Sequence, residues 1–198
     1  MKLLGWAALA VFSIHPPAFA QFRLPSLIGI WDPIVGSGAV YDVVTSDGTR
    51  STMELDCTGH EPGGSWFELV TEENHQATVV KQLLGPGGVT RVILKRDDQP
   101  AVEVPPQAVV GGGMPLNVRQ NGRLSAHDHL TLAGRSWATD HYLVTDASHT
   151  RWDVWTSPLV PPCDLVCLKS GRITIALARQ LRHVKSAITG TPQPLDLP

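Results

Sequence analysis

The sequence predicts a mainly β protein built on one antiparallel sheet of about 10–12 strands, with one or two short helices. Three observations lead there. Apolar and polar residues alternate with period two in runs of about 6–9 residues. Turn chemistry rich in Gly, Pro, Asn and Asp separates those runs. No strand–helix–strand alternation occurs, so nothing calls for parallel crossovers. A sheet of this size must curl, close or fold over on itself.

Residues 1–20 read as a cleavable export signal, not as part of the fold. Lys2 gives the positive start and residues 3–14 a mainly apolar run. Pro16 and Pro17 break the run, and Ala18-Phe19-Ala20 offers a small-x-small cleavage site. The run is too short to span a bilayer. Cleavage there starts the mature chain at Gln21. No cysteine sits at that point, the first being Cys57, so acylation is not expected. No later stretch reaches the roughly 18–20 consecutive apolar residues of a membrane span. The expected product is a soluble periplasmic or secreted protein. It has one β-rich domain over 21–189 and an extended tail over 190–198.

The elements follow in order. Residues 21–31 suit a short helix interrupted by Pro25. Val40, Tyr41, Val43 and Val44 form a first strand, and Ser46-Asp47-Gly48 turns it into a second. There Met53, Leu55 and Cys57 alternate with Thr52, Glu54 and Asp56. Strands over 65–70, 77–84 and 89–95 follow, the last two separated by Gly85-Pro86-Gly87-Gly88. Residues 96–121 carry four prolines and the triplet Gly111-Gly112-Gly113, and read as a loop. The meander resumes over 130–145, 151–156, 165–169 and 172–179.

Composition narrows the function. The formal charge is −2, and losing Lys2 makes it −3. Lys and Arg are scattered along the chain, so no footprint for nucleic acid or anionic lipid heads is visible. No cofactor motif is present. Gly85-Pro86-Gly87-Gly88 lacks the lysine of a phosphate loop. Gly36-Ser37-Gly38 lacks the spacing of a nucleophile elbow. Glu61, Glu68, Glu72 and Glu73 would serve acid/base chemistry only as a close pair in a cleft, and Glu72-Glu73-Asn74 reads as a hairpin tip.

Three cysteines remain after export: Cys57, Cys163 and Cys167. Three buried free thiols, a bridge from Cys57 to Cys163 or Cys167, and a local pair are all open readings. On an extended strand the Cα atoms of Cys163 and Cys167 would lie about 13 Å apart, beyond disulfide reach, so the local pair needs a turn.

His127, His129 and His141 are the best metal-ligand candidates. His127 and His129 fall on one strand face, and a neighbouring strand could add His141. The alternative is a polar turn over 125–128 leading into a strand. The aromatics Trp66, Trp137, Tyr142, Trp152 and Trp155 lie on strands of both halves. They are core residues or the walls of an apolar groove. Trp152 and Trp155 differ by three, so on a regular strand they face opposite ways. A sheet apolar on both faces needs two covers, and a helix or a bound lipid supplies the second.

Several stretches carry a family resemblance. They are Pro33-Ile34-Val35-Gly36-Ser37-Gly38-Ala39-Val40-Tyr41, Trp66-Phe67-Glu68, Lys81, Arg91-Val92-Ile93 and Pro105. Later come Ala133-Gly134, His141-Tyr142, the run from Asp153-Val154-Trp155 to Pro161-Pro162, and Ile188-Thr189-Gly190. With these the chain resembles uncharacterised exported bacterial β-proteins related to the periplasmic lipoprotein carrier and outer-membrane lipoprotein-sorting group. The resemblance is one of pattern and carries over no functional residue. It implies a strongly bent half-barrel whose concave apolar side is covered by helices. It also implies a role in holding a hydrophobic ligand.

The expected function is therefore a non-catalytic exported binding protein with an acyl chain, lipid or lipidated protein in an apolar groove. The alternatives are an envelope structural or protein-interaction module with a filled core, and a metal-dependent hydrolase using the histidines.

Overall fold

The structure is a computed structural model that describes residues 28–73, 76–106, 116–146 and 149–194. The export signal, the start of the expected helix over 21–31, the glycine triplet and the last four residues lie outside the described residues. The strands are β1 (Ile28–Gly29), β2 (Ser37–Thr45), β3 (Arg50–Glu61), β4 (Gly64–Glu73), β5 (Gln76–Gly85), β6 (Gly88–Arg96) and β7 (Val102–Val104). There follow β8 (Leu116–Asn117), a one-turn helix α1 (Val118–Asn121), β9 (Gly122–Leu132), β10 (Arg135–Thr145), β11 (Arg151–Thr156), β12 (Leu165–Lys169), β13 (Ile173–Arg182) and β14 (Gln193–Pro194).

Twelve strands form one sheet in the order β14-β7-β6-β5-β4-β3-β2-β13-β12-β11-β10-β9. It bends strongly without closing into a barrel. Two consecutive meanders build it, β2 to β7 and β9 to β13. They are joined where β2 pairs antiparallel with β13, Tyr41 opposite Leu177. β14 alone pairs parallel, with β7.

This topology explains the cover. β7 and β9 stand near opposite ends of the sheet order, so their connection is a crossover, described at its end over residues 116–121. Within that crossover, Leu116–Asn117 pairs parallel with Ile28–Gly29. The side chain of Asn117 then caps α1 by accepting from the Arg119 N–H at 3.0 Å. Val118 is fully buried. It shares a core with Ile28 and Ile30, with Tyr41 of β2, Leu55 of β3, Leu69 of β4 and Val154 of β11. Period-two alternation supplies this inner face, and the chain's own crossover fills it. The Tyr41 hydroxyl, at the centre, donates to the Leu165 carbonyl at 3.2 Å.

A second cluster lies on the other face of β4, β5 and β6: Trp66, Val79, Leu83 and Ile93, closed by Ile188. Its cover is the segment after β13, which runs as a strap over the outer face. Val184 N–H bonds to the Gly36 carbonyl beside β2, and Gln193 N–H to the Ala101 carbonyl beside β7.

Four expectations are corrected. Ile28–Gly29 is a strand and not the end of a helix, because its partner is the distant Leu116–Asn117. Residues 125–128 are not a turn but part of β9, paired along β10. The run over 130–145 is two strands, divided by Ala133-Gly134, where positive φ values of 54 and 68 build the tight turn. Beyond residue 190 the chain carries a short paired strand, β14. The bridge from Cys57 to Cys163 or Cys167 is not formed: all three are free buried thiols. Cys163 Sγ lies 3.5 Å from the Tyr41 hydroxyl, and Cys57 pairs across to Phe67. Burial pushes the Cys57 and Cys163 thiols up to about 11.

Candidate binding surfaces

The five aromatics picked from the sequence do not share one groove. Trp66 belongs to the strapped outer cluster, where its Nε1 donates to Glu61 at 3.1 Å and the Lys81 and Arg91 cations sit 5.3 and 5.1 Å from its ring. Trp137 and Tyr142 are in the inner core, with Trp152 packed against it. Trp155 stacks on His141, ring centroids 4.3 Å apart, and its Nε1 donates to Asp128 at 3.0 Å.

The three histidines do not converge either. His127 pairs across β9 and β10 with Asp140, while His141 pairs with Ala126, one step along, so the two lie on opposite faces. His127 Nδ1 meets Asp140 at 2.7 Å, and His141 Nε2 meets Asp153 at 2.8 Å. His129 shares the face of His127. Among the described residues no group of three or more His, Cys, Asp or Glu side chains is placed to hold a metal ion.

Sequence reading missed the most constrained polar cluster. Register aligns Asp56 on β3, Glu68 on β4 and Lys81 on β5. The Glu68 side chain is 1% exposed and its carboxylate accepts from four donors. Lys81 Nζ lies 3.0 Å away, Thr58 Oγ1 3.2 Å and the Ala187 N–H 2.8 Å, and the Ser186 hydroxyl completes the set. Two of those donors belong to the strap, so the carboxylate is the peg on which the strap hangs. Asp56, beside it, is buried with Oδ1 unpartnered. A Cβ on Gly38 would lie 1.9 Å from that oxygen, so any larger residue there would push the Asp56 carboxyl group aside. Burial first, then hydrogen bonding to Glu54 and the charges of Glu54 and Glu68, push the Asp56 carboxyl up to about 8. Period-two reading marked Glu68 as a polar strand position. It had no means of seeing the strap, which lies 118 residues away in sequence.

A cavity of about 360 Å³ opens where the lead into β2, the start of β4, the β5–β6 turn and the crossover meet. Trp31, Pro33, Phe67, Leu84 and Pro86 form its apolar wall, and Ser65, Asn117 and Gln120 its polar one. Trp31 and Phe67 pack edge to face with centroids 4.9 Å apart, which fixes both rings. The Trp31 Nε1 is buried and has no hydrogen-bond partner. Among the described residues no charged one stands in its wall, whereas three other cavities, of about 770, 570 and 480 Å³, each carry arginines in theirs. The 770 Å³ cavity, beside Trp152, is walled by Arg123, Arg151 and Asp153 among others. Trp31 fell in the expected helix over 21–31, so no sequence signal joined it to Phe67.

No family model matches the chain, and no curated protein matches it. It is similar to solved structures at low identity. MucB in complex with MucA(peri) aligns with a TM-score of 0.48 at 12% identity, covering 84% of this chain and 57% of that one. The MucA/MucB complex of Pseudomonas aeruginosa gives 0.47 at 12%, covering 76% and 53%. PNGF-II gives 0.44 at 7%, covering 80% and 31%. The chain spans less than two thirds of each of these proteins.

Proposed function

We propose that this chain is an exported, non-catalytic binding protein that holds a hydrophobic group at the Trp31–Phe67 cavity. The group is an acyl chain, a lipid or the lipid moiety of a modified protein. The observation that carries the reading is the uncharged, aromatic-lined wall of that cavity. An apolar group entering it leaves water without stranding a charge, at a gain of about 0.8 kcal/mol per methylene. Its volume lies at the small end of the roughly 300–1,000 Å³ of ligand pockets, so it suits part of an acyl chain. Export rests on the signal-like residues 1–20.

This places the ligand at the end of the sheet and not along its concave side, whose described part is filled by Ile28, Ile30 and Val118. Native mass spectrometry after gentle purification tests the reading, together with titration by a fluorescent fatty acid. Retention of a lipid, or saturable probe binding weakened by Trp31→Ala, is expected. A protein that emerges empty and ignores the probe contradicts it.

One observation favours a second reading, a protein-interaction module. β9 is 11 residues long and pairs only with β10, so among the described residues its outer edge carries no strand. Such an edge accepts an extended peptide. In-cell crosslinking from a photoreactive residue at position 127 tests it, and recovery of one constant protein partner is the expected result.

A further inference from the structure

The turn before β2, the turn after β11, the β9–β10 turn and the end of β13 meet at one face. Two adjoining clefts of about 570 Å³ and about 480 Å³ open there and share Arg135, Gln180 and Arg182. None of their lining residues belongs to the Trp31 cavity.

Three of the four exposed large apolar side chains among the described residues stand on this rim. Ile34 is 51% exposed, Val35 55% and Leu159 56%. A single exposed Leu is ordinary, whereas a cluster marks a contact surface. The backbone holds all three outward. The Ile34 carbonyl accepts from the Ser37 N–H at 3.0 Å and from its hydroxyl at 2.6 Å, closing a turn with Gly36 at φ +84. Leu159 follows Pro158 in a second turn, closed by Val160 N–H on the Ser157 carbonyl at 3.0 Å. The Gln180 amide donates to the Leu159 carbonyl and ties that turn to β13.

Arg135 and Arg182 line the cleft that holds these tips, and Arg179 lines the adjoining one. No lining residue of either cleft is acidic. Arg91 elsewhere is bound to Glu61 and Glu103, but among the described residues Arg179 and Arg182 form no ion pair. The Arg135 guanidinium stacks 4.3 Å from the centroid of the Trp137 ring, which fixes its position. The arginines are dispersed in sequence at positions 135, 179 and 182, and the sheet's curl assembles them. A cluster of three arginines beside apolar tips, on a chain of net charge −2, is a local feature and not a bulk one.

We propose that this face docks the protein on an anionic lipid bilayer. Ile34, Val35 and Leu159 enter the interfacial zone. Arg135, Arg179 and Arg182 meet lipid phosphates, which guanidinium groups grip in a bidentate fork. The arginines make docking depend on anionic lipid and on ionic strength.

Vesicle flotation with the full chain tests this. Phosphatidylcholine vesicles are compared with the same vesicles carrying phosphatidylglycerol, at low and high salt. Binding to the anionic vesicles alone is expected, and high salt releases it. Arg179→Gln with Arg182→Gln lowers the partition coefficient about thirtyfold. Leu159→Ser also lowers it, and both variants keep the wild-type circular dichroism. Equal partitioning into both vesicle types overturns the proposal, as does an unchanged double arginine variant. So does a concentration-dependent dimer that Leu159→Ser dissolves while vesicles go unbound, because that makes a second copy the occupant. Fatty-acid binding at the Trp31 cavity is measured separately, so either reading can fail alone.

Discussion

The two flanks of the sheet use the same residue types to opposite effect. Over β3–β6 a carboxylate and a lysine meet beneath a strap, with Glu68 1% exposed. Over β9–β11 a carboxylate and a base stand in the open: the His127 side chain is 78% exposed and its partner Asp140 41%. Both flanks show short polar contacts, 3.0 Å for Lys81–Glu68 and 2.7 Å for His127–Asp140. Cover decides what each pair contributes. A buried carboxylate that loses its partners leaves charges stranded in an apolar setting. An exposed pair that breaks returns its members to water.

The largest expected effect is therefore at the peg. Glu68→Ala removes the acceptor for Lys81, Ser186 and Ala187 together. It is expected to cost about 3–5 kcal/mol in urea unfolding at pH 7. Next is the apolar underside of the strap: Ile188→Ala is expected to cost about 2 kcal/mol, at the low end for an aliphatic truncation because Ile188 closes a small cluster.

The covered flank also responds to pH. The Asp56 carboxyl titrates near 8 in the folded state, against 3.8 ordinarily. The folded state thus holds a proton that the unfolded chain gives up early. Asp56's contribution to stability is fully present below pH 3.8 and is lost as pH rises through about 8. Wild-type unfolding free energy is expected to fall between about pH 5 and about pH 8 at this site, and Asp56→Asn to flatten that fall. Unfolding curves of both proteins across that range check it. The smallest effect is on the open flank, where His127→Ala is expected to change stability by less than about 0.5 kcal/mol.

Much of the sheet was legible because burial on one face imposes period two. Met53 and Leu55 point into the core and Glu54 away, so β3 shows itself in the sequence. β11 and β12 fall at the residues their patterns predict. The polar face of β9 hid its strand, because Ser125, His127 and Asp128 read equally well as a turn when no apolar partner fixes the period. The binding surfaces were hidden for a different reason. Trp31 reaches Phe67 from outside β2, and Arg135 of β10 shares a cleft with Arg182 of β13 across two intervening strands; no local pattern encodes either placement.

The uncharged cavity at Trp31 and Phe67 carries the proposed function. Titrating the full chain with a fluorescent fatty acid, beside Gln120→Glu, tests it most directly. Gln120 is exposed on α1, so the substitution adds a charge to the cavity wall without touching the core. Saturable binding by the wild type, weakened in the variant, is the predicted result. No binding by the wild type, or equal binding by both, contradicts it.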